Sequence, residues 1–371
     1  MQQRQHYAVL DGLRGIAAML VLVFHLSEVN VQGDAQGNLL PHGALAVDFF
    51  FCLSGFVIGH AYDRRWATMT LAQFARLRLI RLHPMVVVAV IEGLAAYLIR
   101  PWHGPAPTAS AGQLAITFLA GVLVLPWRTL PERGDDTHSL DGPTWTLFQE
   151  YLGNIAYALV LRRLSLWALA ALLLPAGALL VYGGMHYGTL SKGFGWDGFW
   201  MAPVRLAFPF ITGLLLYRVI DRLPRRRIGI VPLGLVLVIV FALPVIGAAG
   251  HRDGQGLVVG PAGHAAMNGL FEALIVMLGF PALILLGAHS SGAARVNRAC
   301  AALGRLSYPL YIIHYPFVYL LWDFAFFGHP SAFTLNRALI CTFPAMIVLA
   351  TMVMLVYDEP VRRWLSLPRR G

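Results

Sequence analysis

Leu13-Arg14-Gly15-Ile16-Ala17-Ala18-Met19-Leu20-Val21-Leu22-Val23-Phe24-His25-Leu26-Ser27-Glu28-Val29 is an apolar stretch that carries an arginine at its start and a histidine past its middle. Its length approaches the ~20 apolar residues a helix needs to cross a bilayer. An ionisable group inside such a span is costly, so each one is a functional candidate. In a helix, the eleven residues from Arg14 to His25 come to nearly three turns, which places both side chains on one face about 16 Å apart along the axis. An arginine near the boundary can clamp a phosphate, and a histidine at mid-membrane can act as a general base. A snorkelling arginine and a histidine satisfied by a neighbouring helix fit the same spacing.

The pattern continues outward along the chain. Of the 371 residues, 58% are hydrophobic and 12% charged, against roughly half and a quarter in soluble domains. Apolar segments recur at Ala44–Tyr62, His83–Ile99, Pro143–Leu161, Leu164–Tyr182, Phe199–Val219, Ile228–Ala249, Ala265–Ala288, Ser307–Phe327 and Phe333–Tyr357. With the first, they predict an all-α polytopic transmembrane bundle of about ten helices. A single membrane domain is expected over residues 1–371, with no soluble C-terminal domain and no removable leader.

The net charge of +10 does not point to nucleic acid. The arginines stand in short runs at the ends of apolar segments, such as Arg64-Arg65, Arg162-Arg163, Arg225-Arg226-Arg227 and Arg362-Arg363, which is the positive-inside pattern. Ten crossings put these runs on one side with both termini, the cytosolic side. If the shorter Gln113–Trp127 segment also crossed, every later run would change sides, so it is expected to dip into the membrane or lie along it. Cys52, Cys300 and Cys341 have neither disulfide nor zinc spacing, and no metal is expected.

Four further places carry chemistry. Asp48 lies in the apolar run Val47-Asp48-Phe49-Phe50-Phe51-Cys52-Leu53-Ser54-Gly55-Phe56 and needs a partner there; Arg14 or His25 of the preceding helix would serve, making Asp48 an orienter of the base or a member of an ion pair. Ser54 beside Gly55 reads as a packing serine. Arg78 and Arg81, three apart, are neighbours on a helix surface at the basic side. Glu150 sits about two turns into its helix beyond Trp145, suited to hold a hydroxyl, an arginine or His25. Ser307, Tyr311 and His314 share a helical face. Among the other intramembrane charges, Glu92, Arg205, Glu272 and Asp323, buried pairing is the expectation.

The run Leu10-Asp11-Gly12-Leu13-Arg14-Gly15-Ile16-Ala17-Ala18 with His25 resembles the opening signature of the family-3 membrane acyltransferases. The Asp48 block is similar to that family's second-helix signature. Arg78-Leu79-Ile80-Arg81-Leu82-His83-Pro84 resembles its Arg-x-x-Arg element, and Pro143-Thr144-Trp145-Thr146-Leu147-Phe148-Gln149-Glu150 its Trp-Ser/Thr-Leu-x-x-Glu element. Ser307-Tyr308-Pro309-Leu310-Tyr311-Ile312-Ile313-His314 matches again near the end.

The resemblance implies a bacterial inner-membrane enzyme that moves an acyl group, commonly acetyl from acetyl-coenzyme A, to a hydroxyl of a glycan or glycolipid. Arg14, Arg78 and Arg81 would then hold the donor's phosphates. His25, Asp48 and Glu150 would form the catalytic group, and Trp145, Tyr311 and His314 would meet the acceptor. The acyl-coenzyme A is a donor substrate, and membrane lipids are the remaining partners. A transporter or flippase for a lipid-linked or small molecule would use the same intramembrane charges without needing coenzyme A.

Overall fold

The computed structural model describes residues 6–99, 108–128, 130–224, 226–246, 251–253, 256–258 and 262–367. Residues 100–107, Arg225 of the basic triplet and both chain ends lie outside the described residues. The helices in chain order are α1 (Ala8–Asn30), α2 (Ala46–Tyr62), α3 (Leu71–Ile99), α4 (Ala111–Val122), α5 (Thr144–Leu159), α6 (Leu166–Tyr187) and α7 (Met201–Val219). They continue with α8 (Ile230–Ala242), α9 (Ala262–Leu274), α10 (Phe280–Ala288), α11 (Ala294–Phe327), α12 (Ala332–Val353) and α13 (Glu359–Ser366). One short antiparallel ribbon, His251–Asp253 with Gly256–Val258, precedes α9.

Among the described residues eight helical stretches are long and apolar enough to cross a membrane, and α5 and α8 are shorter. Together they account for the ten apolar segments, so the chain is an all-α polytopic membrane bundle. Helix α4 has 12 residues, about 18 Å of axial rise, well short of the ~30 Å hydrocarbon core. A capping box starts it: Ser110 accepts from Gln113 N–H while the Gln113 side chain accepts from Ser110 N–H.

Three helices extend beyond the apolar runs that predict them. Helix α3 begins at Leu71 instead of His83, which puts Arg78 and Arg81 inside it. Helix α11 begins at Ala294 instead of Ser307 and takes in Arg305. Helix α12 passes through a π turn, Met354–Asp358, into α13 and reaches Ser366. Each extension is amphipathic sequence that a count of apolar residues truncates, because only one of its faces is apolar.

Helix α1 packs along α11, and α2 along α7. The second contact depends on two glycines: a Cβ on Gly55 would overlap the Phe210 carbonyl, and one on Gly213 the Cys52 carbonyl. Backbones approach this closely only where small residues face each other. Between the pairs, α3, α5 and the α12–α13 junction enclose a space that opens at one end of the bundle.

Candidate active site

That space is a cavity of about 720 Å³. Arg14 of α1, Ser54 of α2, Arg78 and Arg81 of α3, Glu150 of α5 and Ser307 and Tyr311 of α11 line it. Arg305, Asp358, Glu359, Arg362 and Arg363 line it as well. Among the described residues six arginines face three carboxylates, so the cavity is cationic and suited to a phosphorylated ligand.

Arg14 is held in place. Its Nε donates to Ser307 Oγ at 2.9 Å and its Nη2 to the Gly304 carbonyl at 2.6 Å, with Asp11 at 3.1 Å. Glu150 Oε1 accepts from Ser54 Oγ and from Arg78 Nη2, both at 2.6 Å. Ser54 is therefore the hydrogen-bond partner of Glu150 rather than the packing serine the sequence suggests; Gly55 does the packing. Arg78 is buried, and its Nε has no partner among the described residues. Arg81 makes no hydrogen bond or ion pair among them. Both can donate to an incoming anion.

At the inner end of the cavity Thr146 Oγ1 and Tyr311 OH lie 3.1 Å apart. The Tyr311 ring is 6.1 Å from that of His314, and His314 stacks on His25 at 5.3 Å. His25 is not among the residues lining the cavity. Its Nδ1 is 3.0 Å from Glu28 Oε2, an arrangement that assigns the proton to Nδ1 and leaves Nε2 as the basic nitrogen. His314 Nδ1 donates to the Leu310 carbonyl at 3.2 Å, and its Nε2 is buried without a partner among the described residues. Tyr315 meets the His25 ring edge-on at 4.9 Å.

Two expected site residues lie elsewhere. Asp48, with no exposed surface, pairs with Arg205 of α7, Oδ1 to Nε at 3.1 Å, and not with Arg14 or His25. Arg205 also donates to the Lys192 and Ala44 carbonyls at 2.9 Å each. Its guanidinium satisfies a carboxylate that neither polar end of α1 reaches, so Asp48 is the ion-pair member rather than the orienter. Trp145 is 6% exposed, packed edge-on to Phe51 and 5.4 Å from the Arg205 guanidinium. Its face is occupied by a cation–π contact and is not open for stacking on a sugar. Glu272 is also paired, with His42 Nδ1 at 2.8 Å.

Beyond His25 the segment between α4 and α5 carries shifted carboxyls. Burial pushes Asp136 up to about 6, against a hydrogen bond from Tyr319 OH and the nearby Arg133. Burial also raises Asp141 and lowers His138 to about 4. Glu132 resists burial and is held down to about 2 by hydrogen bonds from Thr108 and Tyr97.

The sequence profile described as "Acyltransferase domain" matches residues 7–357. This chain belongs to the family-3 membrane acyltransferases. It is 34% identical over 165 residues to "Protein 2 in picA locus" of Rhizobium radiobacter, covering 42% of this chain and 82% of that protein. It is 25% identical over 309 residues to "Acyltransferase MdmB" of Streptomyces mycarofaciens, covering 73% and 74%. No solved structure matches it significantly. It is a membrane acyltransferase.

Sequence reasoning misses Glu28, although it stands three residues from His25, the spacing of helical neighbours. Arg305, Arg362 and Arg363 disappear into the positive-inside pattern. The contact of His314 with His25 joins residues on α1 and α11, and no local pattern signals it.

Proposed function

We propose that this acyltransferase is a bacterial inner-membrane enzyme, both termini cytosolic, that transfers an acyl group, acetyl in the simplest case, from acyl-coenzyme A to a hydroxyl of a glycan or glycolipid. The observation that carries this reading is the arginine-lined cavity ending at Tyr311, one ring contact from the His314–His25 stack. Arg14, Arg78 and Arg81 take the donor's diphosphate, and the pantetheine arm extends past Tyr311 toward His25. The acceptor comes from the opposite end, where Glu28 and Tyr315 border His25.

In the transfer step His25 Nε2 takes the proton of the acceptor hydroxyl while that oxygen bonds to the thioester carbonyl carbon. The tetrahedral intermediate collapses with cleavage of the C–S bond. Coenzyme A thiolate leaves and receives the proton from His25, so the base is regenerated. Glu28 keeps the ring in the tautomer this requires and offsets the charge it gains.

The test is coenzyme A and acetyl-coenzyme A binding to detergent-purified protein by thermal shift, for wild type, Arg14→Ala, Arg81→Ala and His25→Ala. Saturable stabilisation that is lost with either arginine and kept with His25→Ala is expected. A folded wild type that neither ligand stabilises would sink the donor assignment.

A further inference from the structure

The donor assignment leaves three cavity arginines unused, and they stand together. Glu359 bridges two of them, with Oε1 3.3 Å from Arg305 Nη1 and Oε2 2.9 Å from Arg363 Nη2. Asp358 Oδ2 is 2.9 Å from Arg362 Nη1. Three guanidiniums therefore meet two carboxylates, and the cluster keeps a surplus positive charge. The side chains of Arg305 and Arg363 are 62% and 78% exposed, so the cluster lies at the open mouth.

Exposure separates this cluster from the deep one. Arg305 precedes Tyr311 by six residues on α11, about 9 Å along the axis; Arg14 is bonded to Gly304 and Ser307 at the same level of α11, but its side chain is 24% exposed against 62% for Arg305. The π turn Met354–Asp358 brings Asp358, Glu359, Arg362 and Arg363 to the cavity wall. Such turns insert one extra residue per hydrogen-bonded ring and re-aim the side chains beyond them, often at functional sites.

A ligand with its reactive end at Tyr311 and its internal phosphates at Arg14 and Arg81 leaves its other end at this mouth. We propose that Arg305, Arg362 and Arg363 bind a terminal phosphomonoester of the donor, the 3′-phosphate of coenzyme A, and that Glu359 and Asp358 stand in for it when the cavity is empty. This rests on the acyl-coenzyme A reading. A phosphomonoester brings about −1.5 to −2 charges and three acceptor oxygens against one charge on a carboxylate, so it displaces Glu359 from Arg305 and Arg363. The carboxylates keep the empty mouth from collecting other anions by holding the guanidiniums in ion pairs.

An anionic lipid headgroup offers the same phosphate chemistry to an amphipathic terminal helix, and the experiment separates the two. Binding of coenzyme A and 3′-dephospho-coenzyme A is measured on lipid-depleted, detergent-purified protein and again in nanodiscs with phosphatidylglycerol. Wild type is expected to prefer coenzyme A about tenfold, the worth of one charge-assisted contact. The Arg362→Gln/Arg363→Gln variant is expected to lose that preference in detergent and keep its affinity for the dephospho form. Glu359→Gln, which removes the competing anion at the mouth, is expected to tighten coenzyme A about threefold and leave the dephospho form unchanged.

A wild type that binds both ligands equally would overturn the assignment while leaving the donor reading intact. So would a double variant that weakens both alike, or one whose only effect is on the phosphatidylglycerol dependence. A wild type that binds neither ligand overturns the donor reading and this inference together.

Discussion

The imidazole of His314 lies against that of His25, ring centroids 5.3 Å apart and planes inclined by 30°. Each ring has its Nδ1 tied, one to Glu28 and the other to the Leu310 carbonyl. Both therefore present Nε2 as the open nitrogen. An imidazole whose Nδ1 is tied as a donor keeps the lone pair of Nε2 free to accept. That suits a base which must take a proton and give it back.

His25→Ala is expected to lower turnover about 10²- to 10⁴-fold, the range for loss of a general base, with coenzyme A affinity unchanged because His25 does not line the cavity. His314→Phe keeps a ring in the stack and removes Nε2; a drop of about ten- to hundredfold in kcat at constant KM is expected. A stopped assay on purified protein with acetyl-coenzyme A and an acceptor hydroxyl measures both. If His314→Phe retained full kcat, the second imidazole would be packing alone.

Glu28→Gln removes the carboxylate that fixes the tautomer of His25 without changing its size. Orienting partners of this kind are worth about ten- to hundredfold when lost, so kcat falls by that amount while the donor still binds. Glu28→Asp, shorter by one methylene, is expected to recover part of the activity. Equal activity in wild type and Glu28→Gln would remove Glu28 from the mechanism.

Asp48 and Arg205 govern folding more directly than chemistry. Both are buried and each satisfies the other, so Asp48→Ala strands a guanidinium and Arg205→Ala a carboxylate, at about 3–5 kcal/mol. Replacing both, Asp48→Leu with Arg205→Met, removes the stranded charge and is expected to restore much of the loss. The rate of irreversible thermal inactivation in detergent is the readout, since membrane bundles seldom refold on cooling. A double variant no better than the singles would contradict the pairing.

The bundle is legible in the sequence because apolar length is a one-dimensional property: ten apolar segments and one short one appear as helices close to where the runs lie. Arg14, Arg78, Arg81 and Glu150 are legible as charges that a membrane does not tolerate without a reason, and they meet in one cavity. Partnership is not legible. Asp48 finds Arg205 on α7, 157 residues away, because the Gly55 and Gly213 contacts bring α2 and α7 together, and nothing local to Asp48 records that. Trp145 reads as an open aromatic for the same reason, since the cation covering it comes from a helix the sequence leaves unplaced. The mouth arginines of α11 and α13 are hidden because runs of arginine at the ends of apolar segments are read as topology signals, which say nothing of which ones line a cavity.

The segment between α4 and α5 holds two carboxyls whose contributions to stability run in opposite directions with pH. Glu132 is depressed to about 2 from an ordinary 4.5 by hydrogen bonds from Thr108 and Tyr97. Its stabilisation is present above pH 4.5 and is lost as pH falls through about 2. Asp136 is raised by burial to about 6 from 3.8. The folded state then binds the proton more tightly than the unfolded chain, so this contribution is full below pH 3.8 and is lost as pH rises through about 6. Asp136→Asn keeps an acceptor for Tyr319 and removes the ionisation, so it is expected to flatten the decline in melting temperature between pH 3.8 and about 6. Glu132→Gln is expected to flatten the rise between about pH 2 and 4.5 and to lower the melting temperature at about pH 7. Thermal unfolding of the detergent-purified proteins across about pH 2–8 reads both slopes. A wild-type slope that survives Asp136→Asn unchanged would show that the buried carboxyl bonded to Tyr319 is not the group titrating there.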